Sequence, residues 1–324
     1  MKDVLALAWT EHRRTAGLCA GLGLELVVMA TRSRGTLRYL RLTLRTIGLL
    51  TRRRPRVVLV PNPSLVLSLL TVLLRPVLGY TLIVDAHNEA VQPFIHQQRW
   101  LRRLSRWVVG QADLTIVTNG QLASAVEAQG GRPFTLPDRV PEPPLSSVRK
   151  LRGEFNAVLI STFAPDEPVE TVLEAVRGAN IQLYVTGDHQ ESQTTAVQRV
   201  PPNVCLTGFL PEAEYWALLQ SADAIIDLTL MDNCLVCGAY EALAVGKPML
   251  LSRNRASVEL FGDSALYTDN EPTDIRRMLE SLRSERARLQ SAGAIKRDEL
   301  MTSWAAHAHR LSGLLQQWRS DMGP

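Results

Sequence analysis

Residues 56–85 read RVVLVPNPSLVLSLLTVLLRPVLGYTLIVD, and the reading of this stretch decides the fold. Residues 56–60 read as a strand, apolar throughout 57–60 and followed by Pro61, Asn62 and Pro63. A helix opens at Ser64, Gly79 interrupts the pattern, and residues 81–85 read as a second strand with the apolar run 82–84. Strand, helix and strand in succession make a βαβ unit with parallel strands. The centres of these strands are continuously apolar rather than apolar at alternate positions, which suits a sheet covered on both faces. The longest clean run in this stretch is 65–74, interrupted only by Ser68 and Thr71, whereas a spanning helix needs about 20 predominantly apolar residues, so a buried helix is expected and not a transmembrane one.

The same alternation extends outward in both directions. Residues 4–9 and 24–29 read as strands, with helices at 13–21 and 37–50. Downstream come a helix near 97–109, a strand at 114–117, a helix at 121–129 and a strand at 133–136. The run Pro137-Asp138-Arg139-Val140-Pro141-Glu142-Pro143-Pro144 then excludes both helix and central strand. A second series follows, with strands at 157–161, 182–186, 204–206, 224–228, 248–251 and 266–268. Its helices fall at 168–176, 212–222 and 238–245, before a mostly helical tail at 272–321. The expectation is an N-terminal domain over 1–140, a linker over 141–154 and a C-terminal domain with helical tail over 155–324. A chain of 324 residues is in any case longer than one core usually supports.

Charge divides at the same place. The formal net charge of +4 conceals 21 Lys+Arg against 9 Asp+Glu in residues 1–150, and 15 against 23 in the remainder. No acidic residue occurs from 26 to 84, and Arg34, Arg38, Arg41 and Arg45 fall at i, i+4, i+7 and i+11, one helical face, with Leu and Tyr between them. Such a face suits an anionic membrane surface, and no nucleic-acid recognition module accompanies it. Four cysteines do not form a disulfide framework, and the single C-x-x-C at Cys234 and Cys237 lacks the further ligands of a zinc site. The N-terminal residues do not read as a signal peptide.

In open parallel sheets the chemistry lies just beyond the carboxyl ends of the strands. The strongest local pattern there is Asp227-Leu228-Thr229-Leu230-Met231-Asp232-Asn233-Cys234-Leu235-Val236-Cys237-Gly238, a strand end, a turn and a helix start. The free N–H groups of a helix start suit a phosphate, and Gly238 is expected to admit a ligand close to the backbone. Glu241 on the first turn either accepts hydrogen bonds from ribose hydroxyls or complements the helix dipole. In the first series, Val84-Asp85-Ala86-His87-Asn88-Glu89 closes a strand. His87 is the candidate to face a reacting sugar, and Asp85 and Glu89 are candidates for a general base. The other reading has Asp85 and Asn88 capping the turn. Arg13 and Arg14 after the first strand meet either a phosphate or solvent.

The run Tyr240-Glu241-Ala242-Leu243-Ala244-Val245-Gly246-Lys247-Pro248 resembles the signature of family-four glycosyltransferases, which have the GT-B fold. In that family the helix carries E-x7-E followed by a small apolar stretch, Gly, a variable residue and Pro. The resemblance implies that Glu241 binds the nucleotide ribose. The first Glu falls at Asn233, so Asn233, Cys234 and Leu235 stand where the family meets the donor sugar. Thr207-Gly208-Phe209-Leu210-Pro211 is similar to the family's strand-Gly-helix segment, whose loop contacts the base. Glu259 also falls where the family often has an acidic residue, and Ala112-Asp113-Leu114 with Thr118-Asn119 resembles an element late in the family's first domain. His87 matches a His that the family commonly carries. Family members also carry an Arg and a Lys near the first strand of the second domain, to neutralise the diphosphate. This chain reads Ser161-Thr162-Phe163-Ala164-Pro165-Asp166-Glu167-Pro168 there, without a basic residue. Ser161, Thr162 and the helix start then remain to hold the diphosphate, with Lys247 or Arg253 as possible cations.

The resemblance implies an α/β protein of the GT-B class, with two doubly wound Rossmann-like domains facing across a cleft. It implies a divergent glycosyltransferase of bacterial polysaccharide or glycan biosynthesis. The donor would be a nucleotide sugar, the acceptor a saccharide or lipid-linked saccharide. No catalytic metal or other cofactor is expected, and the location would be cytoplasmic, with peripheral contact to the inner face of the membrane. The alternatives are an inactive GT-B-fold binding or partner protein and a sugar-nucleotide epimerase.

Overall fold

The computed structural model describes residues 3–10, 12–62, 64–86, 88–91, 99–145, 148–189 and 200–321. The chain divides into two compact units, residues 1–139 with 302–324, and residues 140–301.

The first unit is a six-stranded sheet in the order β2-β1-β3-β4-β5-β6. Its strands are β1 (Val4–Ala8), β2 (Glu25–Val28), β3 (Val57–Asn62), β4 (Thr81–Ala86), β5 (Leu114–Val117) and β6 (Pro133–Thr135). All pairings are parallel. Strand β3 runs past Val60 to Asn62, with Pro61 opposite Asp85 in register. The connecting helices are α1 (Arg13–Leu22), α2 (Gly35–Arg53), α3 (Leu65–Leu78), the single turn α4 (Asn88–Val91), α5 (Arg99–Gln111) and α6 (Gly120–Ala128).

Period-two alternation sorts the strand residues into two layers. Leu5, Leu7, Val58, Val60, Leu82 and Val84 pack beneath α2, α3, α5 and α6. Val4, Ala6, Val57, Leu59, Ile83 and Ile116 face the other way, towards α1 and Ala308, Leu311 and Leu315.

The second unit is also a parallel six-stranded sheet, in the order β12-β11-β10-β7-β8-β9. Its strands are β7 (Asn156–Leu159), β8 (Gln182–Thr186), β9 (Val204–Gly208), β10 (Ala224–Asp227), β11 (Met249–Ser252) and β12 (Leu266–Thr268). Its helices are α7 (Val169–Val176), α8 (Glu212–Ser221), α9 (Cys237–Ala244), α10 (Arg255–Phe261) and α11 (Pro272–Ser284). One layer joins α8 and α9 to Val158, Ile225 and Met249, and the other joins α7 and α11 to Leu159, Ile226 and Leu250.

The helical tail departs from the expected division. Helix α12 (Arg286–Asp321) begins in the second unit, where Leu289 and Leu300 are buried, and ends in the first. Leu311 and Leu315 are fully buried in the first unit, each worth about 1.5–3 kcal/mol against exposure. Trp304 explains Gly21 on α1, because a Cβ there would collide with the indole ring. The tail therefore does not belong wholly with the second domain: its apolar positions complete the first unit's uncovered sheet face. Among the described residues, no helix is long and apolar enough to cross a membrane.

Candidate functional site

Strand order reverses between β7 and β10 in the second unit, which is where an open parallel sheet takes its ligand. The loops 160–168 and 228–236 flank this point. They are tied together: the Thr229 hydroxyl donates to Asp166 Oδ2 at 2.8 Å, and the Leu230 N–H donates to the Asp166 carbonyl at 2.7 Å. Each loop holds a non-glycine residue in the left-handed region, Phe163 at φ 58° and Asn233 at φ 58°. For a side chain as bulky as Phe this costs of order 1–3 kcal/mol and persists only where the surroundings impose it.

What imposes it on the first loop is Glu167. Its carboxylate accepts from the Ser161 hydroxyl at 2.6 Å, the Thr162 N–H at 2.8 Å, the Thr162 hydroxyl at 2.8 Å and the Ala164 N–H at 3.2 Å. Ser161 and Thr162, expected to offer hydroxyls to a diphosphate, instead hold the chain's own carboxylate. The loop is a backbone nest of the kind that binds anions, and Glu167 fills it.

Gly238 also has a different role from the one expected. Its N–H donates to Asp227 Oδ2 at 2.7 Å. A Cβ on Gly238 would meet the Asp227 carboxylate and come within 2.7 Å of Ile160 Cδ1. The glycine makes room for Asp227 and Ile160. Burial drives the Asp227 pKa well above its ordinary value; the Gly238 N–H opposes this, and the charges of Glu167, Glu241 and Asp166 add to it.

Glu241 is 5 % exposed on the first turns of α9, and the Tyr215 hydroxyl of α8 donates to its Oε2. Tyr215 thus orients the carboxylate expected to meet a ribose. Asn233 and Cys234 are half-buried, and Leu235 is buried in the core beneath α9. The Cys234 carbonyl accepts from Asn254 Nδ2 at 3.0 Å and from the Ser257 hydroxyl at 3.4 Å, fixing this loop to the start of α10. Cys234 and Cys237 are not joined in a disulfide. Among the described residues, no group of three or more His, Cys, Asp or Glu is placed to hold a metal ion.

Other candidates lie away from this point. Gly208, at φ 69°, ends the edge strand β9, two strands from β7. Lys247 precedes β11 and so lies at the amino ends of the strands. Burial lowers its pKa, Arg286 lowers it further, and Asp223 opposes both. Arg253 follows β11 on the carboxyl side, paired with Asp269 at 2.9 Å. Glu259 is paired with Arg255 on the exposed side of α10.

In the first unit, Asp85 is fully buried at the end of β4. One oxygen accepts from Arg14 Nε at 2.9 Å and the other from the Thr15 hydroxyl at 3.1 Å. Arg14 also pairs with Asp138 and donates to the Leu136 carbonyl at 3.2 Å. Burial alone would lower the Arg14 pKa, but Asp85 and Asp138 together hold it above the ordinary value. Arg14 is therefore neither a solvated helix start nor an exposed phosphate contact. Asp85 clamps β4 to α1 and is not poised as a free base. His87 lies outside the described residues, as does the side chain of Glu89 on α4. The first unit reverses its strand order between β1 and β3. There Asn62 is buried, and its side-chain nitrogen has no hydrogen-bond partner.

The residues missed in the sequence are Tyr215, Glu167, Asp166 and Asn254. Only Asp166-Glu167-Pro168, acidic where the resembled family is basic, gave a signal.

No protein-family model matches the chain, and no curated protein does. Solved structures do match in fold. Sucrose-phosphate synthase from Thermosynechococcus elongatus is 15 % identical with a TM-score of 0.78, over 98 % of this chain and 100 % of that one. HepE from Anabaena, solved in complex with UDP and glucose, is 13 % identical with a TM-score of 0.77, over 97 % and 99 %. A UDP-N-acetylglucosamine 2-epimerase from Listeria monocytogenes, described as putative, is 14 % identical with a TM-score of 0.64, over 99 % and 98 %. The fold of this chain is accordingly GT-B, two parallel α/β units each with its own sheet.

Proposed function

We propose that this chain is a glycosyltransferase similar to family four, moving a sugar from a nucleotide-sugar donor to a saccharide or lipid-linked saccharide. The observation that carries the reading is Glu241. It stands on the helix after the switch-point strand, buried and oriented by Tyr215, at the place where the resembled signature puts its ribose ligand. The fold is shared with HepE, whose structure holds UDP and glucose.

In this reading Asn233, Cys234 and Leu235 line the donor site. The leaving diphosphate develops negative charge that must be neutralised. The start of α9 supplies a dipole end, and burial of Asp227 favours its uncharged form, which leaves that dipole less opposed. Catalysis at His87 belongs to the same proposal.

Isothermal titration with nucleoside diphosphates and nucleotide sugars tests it. Binding that Glu241→Ala weakens supports the reading, and no binding to any of them overturns it. One observation favours a second reading, an inactive binding protein: Glu167 places a carboxylate where the resembled family places a cation. Nucleotide binding without transfer or hydrolysis of any donor would select it.

A further inference from the structure

We propose that the outer surface of the α2–α3–α5 layer is a docking face for an anionic lipid surface. The proposal rests on the first unit alone and is independent of the glycosyl-transfer reading.

Helix α2 is apolar on two opposite sides. Leu42, Thr46 and Leu50 face the sheet and are buried. Leu37, Leu40 and Leu44, spaced i, i+3 and i+7, lie on the opposite side and are 48 %, 57 % and 60 % exposed. A helix that only covers a core carries polar residues on its outer side. Arg41 and Arg45 are exposed beside this leucine row.

The next two helices continue the pattern. Helix α3 packs between α2 and α5. It presents Val66, Leu73 and Val77, spaced i, i+7 and i+11, and all are exposed. Helix α5 presents Trp100 and Trp107, spaced i and i+7, with Arg99, Arg103 and Arg106 exposed around them. Scattered exposed leucines need no explanation, but aligned apolar rows on three neighbouring helices mark an interaction surface.

Charge selects the partner. Helices α2, α3 and α5 contain no Asp or Glu. Among the described residues, the acidic groups paired with their arginines are Glu25, with Arg53, and Asp113, with Arg75. A face with one sign of charge, leucine rows and two tryptophans is matched to anionic headgroups above acyl chains. A protein interface tends to lose charge from its centre, whereas here the arginines flank the apolar rows throughout.

Vesicle co-sedimentation of the full chain tests this. Vesicles of phosphatidylcholine with about one-third phosphatidylglycerol should bind it at low salt, and salt should weaken the binding. Leu40→Ser with Leu44→Ser, and separately Trp100→Ser with Trp107→Ser, should each lower the partition coefficient about tenfold while leaving the circular dichroism unchanged. Hydrogen exchange of the unaltered chain should slow on α2, α3 and α5 when vesicles are added. No binding to anionic vesicles at low salt, or both double variants binding like the unaltered chain, overturns the proposal. So does protection elsewhere in the chain but not on these three helices.

Discussion

Gly238 donates its backbone N–H to the buried carboxylate of Asp227 across 2.7 Å, and the absence of a Cβ on Gly238 is what lets that carboxylate sit there. A methyl group at 238 would displace Asp227 and press on Ile160. Gly238→Ala should therefore destabilise the second unit by about 1–3 kcal/mol. Urea denaturation checks this, and an unchanged midpoint would show that the pocket relaxes freely.

Asp227 also gives the second unit a pH dependence. Burial is the largest cause of its raised pKa, opposed by the Gly238 N–H and reinforced by Glu167, Glu241 and Asp166. The folded chain thus keeps a proton that the unfolded chain releases near the ordinary value of 3.8. The associated stability is complete below that value and is lost as pH rises through the folded one. Asp227→Asn removes this decline, so its stability relative to the unaltered chain should be greater at about pH 8 than at about pH 5. Parallel curves at the two pH values would count against the assignment.

Tyr215→Phe should act on Glu241. It removes the hydroxyl that donates to Oε2 and leaves a buried carboxylate short of one donor, at about 1–3 kcal/mol. Thermal melting should show the loss. Nucleoside diphosphate affinity should fall with it if Glu241 is the ribose ligand, and should stay unchanged if Glu241 serves the fold alone.

Glu167 predicts an effect of opposite sign. Glu167→Gln keeps an acceptor in the nest of Ser161, Thr162 and Ala164 but removes the charge. A diphosphate at the switch point should then bind about tenfold more tightly, or about 1.4 kcal/mol. Titration with UDP at low salt reads this directly, and equal affinity would place the diphosphate away from Glu167.

Arg14→Met tests the clamp in the first unit. It leaves fully buried Asp85 without its cation, a loss of about 3–5 kcal/mol. Urea unfolding should show that loss, and nucleotide affinity of the folded protein should not change.

The sheets were legible because strands such as 57–60 and 82–84 are apolar at every position, a pattern that depends only on burial of both faces. The position of Glu241 was legible from a short signature on one helix. The partners were not. Tyr215 reaches Glu241 from a separate helix, and Arg14 reaches Asp85 from 71 positions away in sequence. Such pairings arise only when the sheet order is set, and local spacing does not encode them. Gly238 was only half legible for a related reason: a glycine at a helix start signals a close approach, but not that Asp227 and Ile160 are the side chains that make it.

Helix α12 has a consequence for the order in which the chain is built. The first unit's back face is closed by Leu311 and Leu315, yet its strands are complete by residue 135. During synthesis, Val4, Ala6, Leu59 and Ile83 must therefore wait with one side covered by α1 but not by Leu311 and Leu315 while the whole of residues 140–301 is made. The second unit can finish folding first, although it is encoded later. A released chain ending at residue 301 would carry a closed second unit and a first unit without Leu311 and Leu315. Residues 1–139 expressed alone would expose the same apolar face and self-associate.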